Sequence, residues 1–254
     1  MGGEFYINRL NEHLIDHYLV NENKSAIIDF TKNSDTLLIT FTGRGRVINP
    51  ETPPPFNFYR STQHMDINKI FIRDHKRAWF HKGLTNIYGV EDFNQLVTYL
   101  EDIIPVNRFN KIIVLGLSMG GYAALLFGLL TKLVVTVHSF GPQTFINTDN
   151  EEYNDQTKWL IPCLKEVQSE IPRNYLDLKE IFLERSKDSL KRNNEFHIHY
   201  GNPDKTFAER LCEFERVHLH HYNIDEHNVP TYLRDKGELK GTLDSFLNFS
   251  LNKT

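Results

Sequence analysis

Lys111–Leu130, KIIVLGLSMGGYAALLFGLL, is the stretch whose reading decides the fold. Ile112, Ile113, Val114 and Leu115 are β-branched or aliphatic in succession, the pattern of a short buried strand. Gly116-Leu117-Ser118-Met119-Gly120-Gly121 follows, and then an Ala/Leu-rich segment with helical propensity. The order predicts strand, tight turn and helix, with Ser118 at the apex. Gly116 and Gly120 flank a turn in which a Cβ would collide with a neighbouring element, and Gly121 lets the helix start lie close to the sheet. Ser118 then stands at the strand's C-terminal end, with a helix N-terminus behind it. Free N–H groups and partial positive charge there favour an oxyanion. A glycine-rich turn of this kind can also cradle a phosphate or simply pack tightly, and a bare G-x-S-x-G discriminates weakly; the strand–turn–helix context is what sharpens it.

Outward from this stretch, the chain alternates strands and helices. Ser25–Phe30, Thr36–Phe41 and Asn68–Arg73 read as strands on the N-terminal side. A proline-rich loop, Pro50 to Pro55, separates the last two, and its Phe56, Phe58 and Tyr59 either line a pocket or pin the loop. Between Val90 and Ile104, Phe93, Leu96, Val97, Leu100, Ile103 and Ile104 recur at helical spacing, and Pro105 closes the helix. On the C-terminal side, strands are predicted at Leu133–Val137, with His138–Pro142 as exit loop, at Glu195–Tyr200 and at Val217–Tyr222. Helices are predicted near Asp177–Arg185, over Thr206–Glu215, and from Thr231 towards Phe249 with an interruption at Gly237. This alternation argues for a doubly wound, mostly parallel α/β sheet.

Composition narrows the function. At 254 residues, 40% hydrophobic and 24% charged, the chain suits one large α/β domain. A formal charge of −4 and the lack of a long basic stretch argue against nucleic acid as a partner. Two cysteines, Cys163 and Cys212, provide neither a disulfide framework nor metal-ligand spacing. No apolar run approaches the roughly 20 residues of a transmembrane span, and MGGEFYINRL lacks the apolar core of a signal peptide, so the reading places the chain in the cytoplasm.

The G-x-S-x-G turn in its context resembles the nucleophile elbow of the α/β-hydrolase superfamily. The resemblance implies a single domain over residues 1–254, with a lid-like insertion at about 143–190. It also implies a serine whose acid and histidine partners follow in that order at later strand exits. Asp204, after Gly201-Asn202-Pro203, and His227, after the last strand, match those positions. The serine hydroxyl needs such a base, and the base needs a group that fixes its tautomer. Asp204 is alternatively a turn former and helix N-cap, and His227 alternatively a solvated loop residue. Asp225 and Glu226 lie too near His227 in sequence to reach its far ring nitrogen easily, and His218, His220 and His221 lie within a strand. The oxyanion donors implied are the Met119 amide and the Arg44 amide, with Gly43 as the fallback.

The implied activity is acyl transfer without a cofactor. The substrate would be a small-molecule or carbohydrate-linked ester acting as acyl donor, and water the acceptor. The chain's general character is also similar to bacterial proteins of this fold that add or remove acetyl groups on surface polysaccharide, with a sugar hydroxyl as the alternative acceptor. A non-catalytic binding module on the same fold is the reading from another class. Arg44 and Arg46 either clamp an anionic substrate group or form a solvated basic loop. Asp74, His75, His81 and His138 read as loop residues. His197 and His199, with His218 and His220, alternate on neighbouring strands and would cluster on one face, but no carboxylate or cysteine completes a metal site.

Overall fold

The computed structural model describes residues 24–45, 52–105, 107–155, 157–185 and 193–248. Seven strands form one sheet: β1 (Ala26–Asp29), β2 (Thr36–Phe41), β3 (Asn68–Ile72), β4 (Lys111–Leu117), β5 (Thr136–Phe140), β6 (Glu195–Tyr200) and β7 (Val217–His221). Their spatial order is β1-β3-β2-β4-β5-β6-β7. Only the β1–β3 pairing is antiparallel, so β2 to β7 run the same way. The C-terminal ends of these parallel strands share one edge, where the exits after β2, β4, β5, β6 and β7 meet.

Helices cover both faces, which is why the central strands are apolar in continuous runs instead of alternating. Leu37, Ile39, Phe41, Ile112 and Val114 face one core with α1 (Phe93–Ile103) and α2 (Met119–Leu130). Leu38, Ile113, Leu115 and Phe140 face the other, under α6 (Val229–Asp235) and α7 (Leu239–Asn248). α1 starts at Asp92, whose side chain accepts from the Gln95 N–H at 2.8 Å and so satisfies a donor the helix leaves unpaired. It buries Phe93, Leu96, Val97 and Leu100, the stripe seen in the sequence. The buried α2 carries the elbow glycines. A Cβ on Gly116 would lie 2.0 Å from the Gly120 carbonyl oxygen, and one on Gly120 would lie 2.1 Å from that of Phe41. Close approach of β4, α2 and β2 therefore demands glycine at both.

Between β5 and β6 the chain forms α3 (Leu160–Lys165) and α4 (Leu178–Arg185), joined by 3₁₀ turns. Leu160, Leu164, Tyr175, Leu178 and Ile181 pack this segment onto the α2 side of the core. A short α5 (Lys205–Glu209) lies between β6 and β7, ending well before the Glu215 boundary expected from the sequence. The terminal helical stretch divides into α6 and α7 at Gly237, whose φ is 74°. β5 is displaced by three residues from the expected Leu133–Val137, so His138, Ser139 and Phe140 are buried strand residues and not an exit loop. Among the described residues no helix is long and apolar enough to cross a membrane.

Candidate active site

Ser118 occupies φ 56°, ψ −119°, a left-handed conformation that costs a non-glycine residue about 1–3 kcal/mol. The turn holds it there: the Ser118 N–H donates to the Phe140 carbonyl at 2.8 Å, and the Ser118 carbonyl accepts from the Tyr122 N–H at 3.0 Å. Met119 is the first residue of α2, so its N–H has no acceptor within the helix. The β2 exit packs against the same point, because a Cβ on Gly43 would lie 2.7 Å from the Leu117 carbonyl oxygen. The Gly43 N–H is already donated to Asn57 Oδ1 at 2.7 Å.

Asp204 and His227 meet. The Asp204 Oδ1 to His227 Nδ1 separation is 2.7 Å, although 23 residues separate them in the chain. Asp204 stands at the start of α5, yet its side chain makes no capping bond and turns to the imidazole instead. Asp225, the competing acid, accepts from Asn202 Nδ2 at 2.9 Å. With Nδ1–H donated to a carboxylate, the neutral imidazole carries its lone pair on Nε2. That atom is buried and has no hydrogen-bond partner among the described residues, as is Asp204 Oδ2. Trp159, from the segment between β5 and β6, presents its indole edge-on to the imidazole with ring centroids 5.9 Å apart.

The β5 exit contacts both the serine and this pair. Gly141 has φ 52°, and a Cβ there would lie 3.1 Å from both Asp204 Oδ2 and His227 Cε1. Two residues on, the fully buried Gln143 donates from Nε2 to Ser118 Oγ at 3.1 Å and to the Gly141 carbonyl at 3.3 Å. The serine hydroxyl thus accepts from Gln143. Gln143 did not emerge from the sequence; its one signal is its place directly after a strand exit on the edge that carries Ser118.

Arg44 is half-buried, its Nε is enclosed without a partner among the described residues, and its carbonyl accepts from Arg77 Nε at 3.2 Å. Arg46 lies outside the described residues. A cavity of about 750 Å³ flanks the edge. Leu117 and Asn228, the immediate neighbours of Ser118 and His227, line it together with Phe58, Tyr59, Arg60 and Arg234. The aromatic loop does both things expected of it: Phe56 and Tyr59 pack edge-on against Phe71 while also facing this cavity.

The strand histidines cluster on the α7 face, joined by His138. His138 Nδ1 lies 3.1 Å from His199 Nε2, and His197 Nδ1 lies 3.0 Å from His220 Nε2. Rings of His197 and His218, and of His199 and His220, stack at 4.7 and 4.5 Å. No group of three or more His, Cys, Asp or Glu among the described residues has the geometry to hold a metal ion. Asp74 is a structural carboxylate: Oδ2 accepts the Ala78 and Phe80 N–H groups at 2.6 and 2.8 Å.

This architecture is the α/β-hydrolase fold. No protein-family model matches the sequence. No curated protein matches it either. Solved structures of the same fold do. The capsule O-acetyltransferase of Neisseria meningitidis serogroup A aligns at TM-score 0.56 and 16% identity, over 88% of this chain and 92% of that one. The fluorophosphonate-binding serine hydrolase F of Staphylococcus aureus aligns at TM-score 0.53 and 13% identity, over 86% of each chain. An esterase of Pyrococcus furiosus aligns at TM-score 0.51 and 14% identity, over 85% of this chain and 81% of the other.

Proposed function

We propose that this chain is a serine acyl-transfer enzyme, a carboxyl-ester hydrolase acting on a small or carbohydrate-linked acyl ester. One observation carries the reading: a strained serine at a strand-to-helix turn shares its sheet edge with a buried Asp204 bonded to a half-buried His227, whose enclosed Nε2 has no hydrogen-bond partner among the described residues. In this reading the Ser118 O–H proton passes to His227 Nε2 as Oγ bonds to the acyl carbon. The carbonyl electrons move to oxygen, held by the Met119 and Arg44 amides. As the carbonyl re-forms, the ester C–O bond breaks and the alcohol leaves with the proton from Nε2. Water then reverses the steps and releases the acid. Asp204 holds the imidazole in the Nδ1–H tautomer and stabilises its cation. The segment between β5 and β6 acts as the lid of a single domain, with Trp159 edge-on to the imidazole.

A sugar hydroxyl in place of water gives an O-acyltransferase. The flanking cavity favours this second reading, because aromatic faces beside the side chains of Asn57, Ser61 and Gln63 suit a saccharide. A panel of p-nitrophenyl esters of rising chain length, run with and without oligosaccharide acceptors, tests both. Ester hydrolysis indifferent to sugar supports the hydrolase, and acylated sugar supports the transferase. No turnover of any ester by folded protein refutes both.

A further inference from the structure

Resting on that reading, we propose that Gln143 is a further catalytic residue. Its side-chain amide donates to Ser118 Oγ, directing the hydroxyl proton towards His227 and stabilising the oxygen when it carries negative charge. Trp79 is the positioning residue that fixes which way round the amide stands.

The amide's orientation follows from its partners. Trp79 Nε1–H can only donate, and it lies 3.4 Å from Gln143 Oε1. The Gly141 carbonyl can only accept, and it takes an N–H from Gln143 Nε2. Flipping the amide would set donor against donor at the indole and acceptor against acceptor at Gly141. The group facing Ser118 is therefore –NH₂, 3.1 Å from Oγ. A hydroxyl that accepts from Gln143 cannot also point its proton there. The proton is left to seek another acceptor, and the enclosed His227 Nε2, whose ring lies beside Gly141, makes no hydrogen bond to Ser118 Oγ or to any other described residue in this structure.

Trp79 is itself over-determined. It is buried, with φ 51°, in a turn whose neighbouring N–H groups are clamped by the Asp74 carboxylate. The indole is thus a rigid reference for the amide. During the reaction, the Gln143 N–H faces the oxygen twice when it is electron-rich: as the serine loses its proton, and as the acyl-enzyme breaks and Oγ leaves. A hydrogen bond to developing charge is stronger than one to a neutral hydroxyl, so it accelerates both steps.

The test compares wild type, Ser118→Ala, Gln143→Met, Trp79→Phe and the double variant, each with its thermal midpoint. The readouts are the second-order rate of fluorophosphonate labelling and, with the best ester, kcat and KM. Gln143→Met keeps the side chain's length and removes the donor. It is expected to slow labelling and kcat about 10- to 100-fold with KM little changed, the size of one hydrogen bond to a charged group. Trp79→Phe is expected to lower kcat roughly three- to tenfold on the Gln143 background, and to have no further effect when residue 143 is already Met. Folded Gln143→Met reacting at the wild-type rate overturns the proposal for Gln143. Independent, multiplicative losses overturn the role of Trp79. Wild type that does not label, or Ser118→Ala that labels equally, overturns instead the underlying serine reading. Should Gln143→Met lose its fold, Gln143→Leu serves as the second variant under the same criteria.

Discussion

The imidazole of His227, in the loop beyond β7, and the imidazoles packed within the strands differ in what they touch. His227 has a carboxylate at 2.7 Å. His138, His197, His199 and His220 have mainly one another, Tyr222 and the ring of Phe246. An imidazole–imidazole hydrogen bond needs one N–H and one lone pair, so the two rings cannot both be protonated. Burial first, and the neighbouring histidines second, hold His138 and His199 well below the ordinary range and push His197 down to about 4. The same residue type is thus held by a carboxylate at the sheet's C-terminal edge and kept neutral by burial within the strands. The proposed base is the first; the second is packing.

The largest effects should come from breaking the first environment. His227→Ala and Asp204→Asn are each expected to lower kcat about 10³- to 10⁴-fold in steady-state ester assays while leaving the thermal midpoint near that of wild type. Comparable activity in either variant would move the base elsewhere. Gly120→Ala should be the largest stability change, on the order of 3–5 kcal/mol by urea unfolding, because its Cβ would meet the Phe41 carbonyl at 2.1 Å.

Acidification acts on the second environment. A histidine whose folded pKa is depressed imposes no penalty above the unfolded value of 6.5. As pH falls below that value the unfolded chain binds the proton first, and stability is lost until the folded pKa is reached, about 4 for His197. Stability should therefore fall between pH 6.5 and about 4, by roughly 1.4 kcal/mol per pH unit for each extra proton taken up by the unfolded state. A flat stability profile by urea titration across this window would contradict the assignment. The smallest effect sharpens it: His220→Gln should reduce this acid slope by part of one proton and leave ester turnover within about twofold, since the residue stacks on His197 and His199 and bonds to His197.

How far these features could be read from sequence depends on whether the deciding contacts are local. β2 and β6 match their expected bounds because Thr36–Phe41 and Glu195–Tyr200 carry their own strand signals. The elbow was legible because its glycines, serine and helix are contiguous. β5 was misplaced by three residues because Leu133 and Val134 look like strand residues, yet Val134 is 50% exposed. The true strand instead buries His138 and Ser139, whose polarity disguised it; His138 is accommodated by a histidine on the adjacent strand and an aromatic ring on α7. Asp204 is ambiguous between cap and acid in the sequence, because its contact is with a histidine 23 residues away and it makes no capping bond. Gln143 could not be found at all. Its contacts are with Ser118 and with Trp79, 64 residues earlier, and glutamine in a loop announces neither.

The central claim, that the hydroxyl at the elbow attacks with the imidazole's help, is tested most directly by mapping a fluorophosphonate adduct by peptide mass spectrometry. The adduct is predicted on Ser118 alone, at full occupancy in wild type and absent or greatly slowed in folded His227→Ala. An adduct on a different serine, or undiminished labelling of Ser118 without the imidazole, would contradict the account.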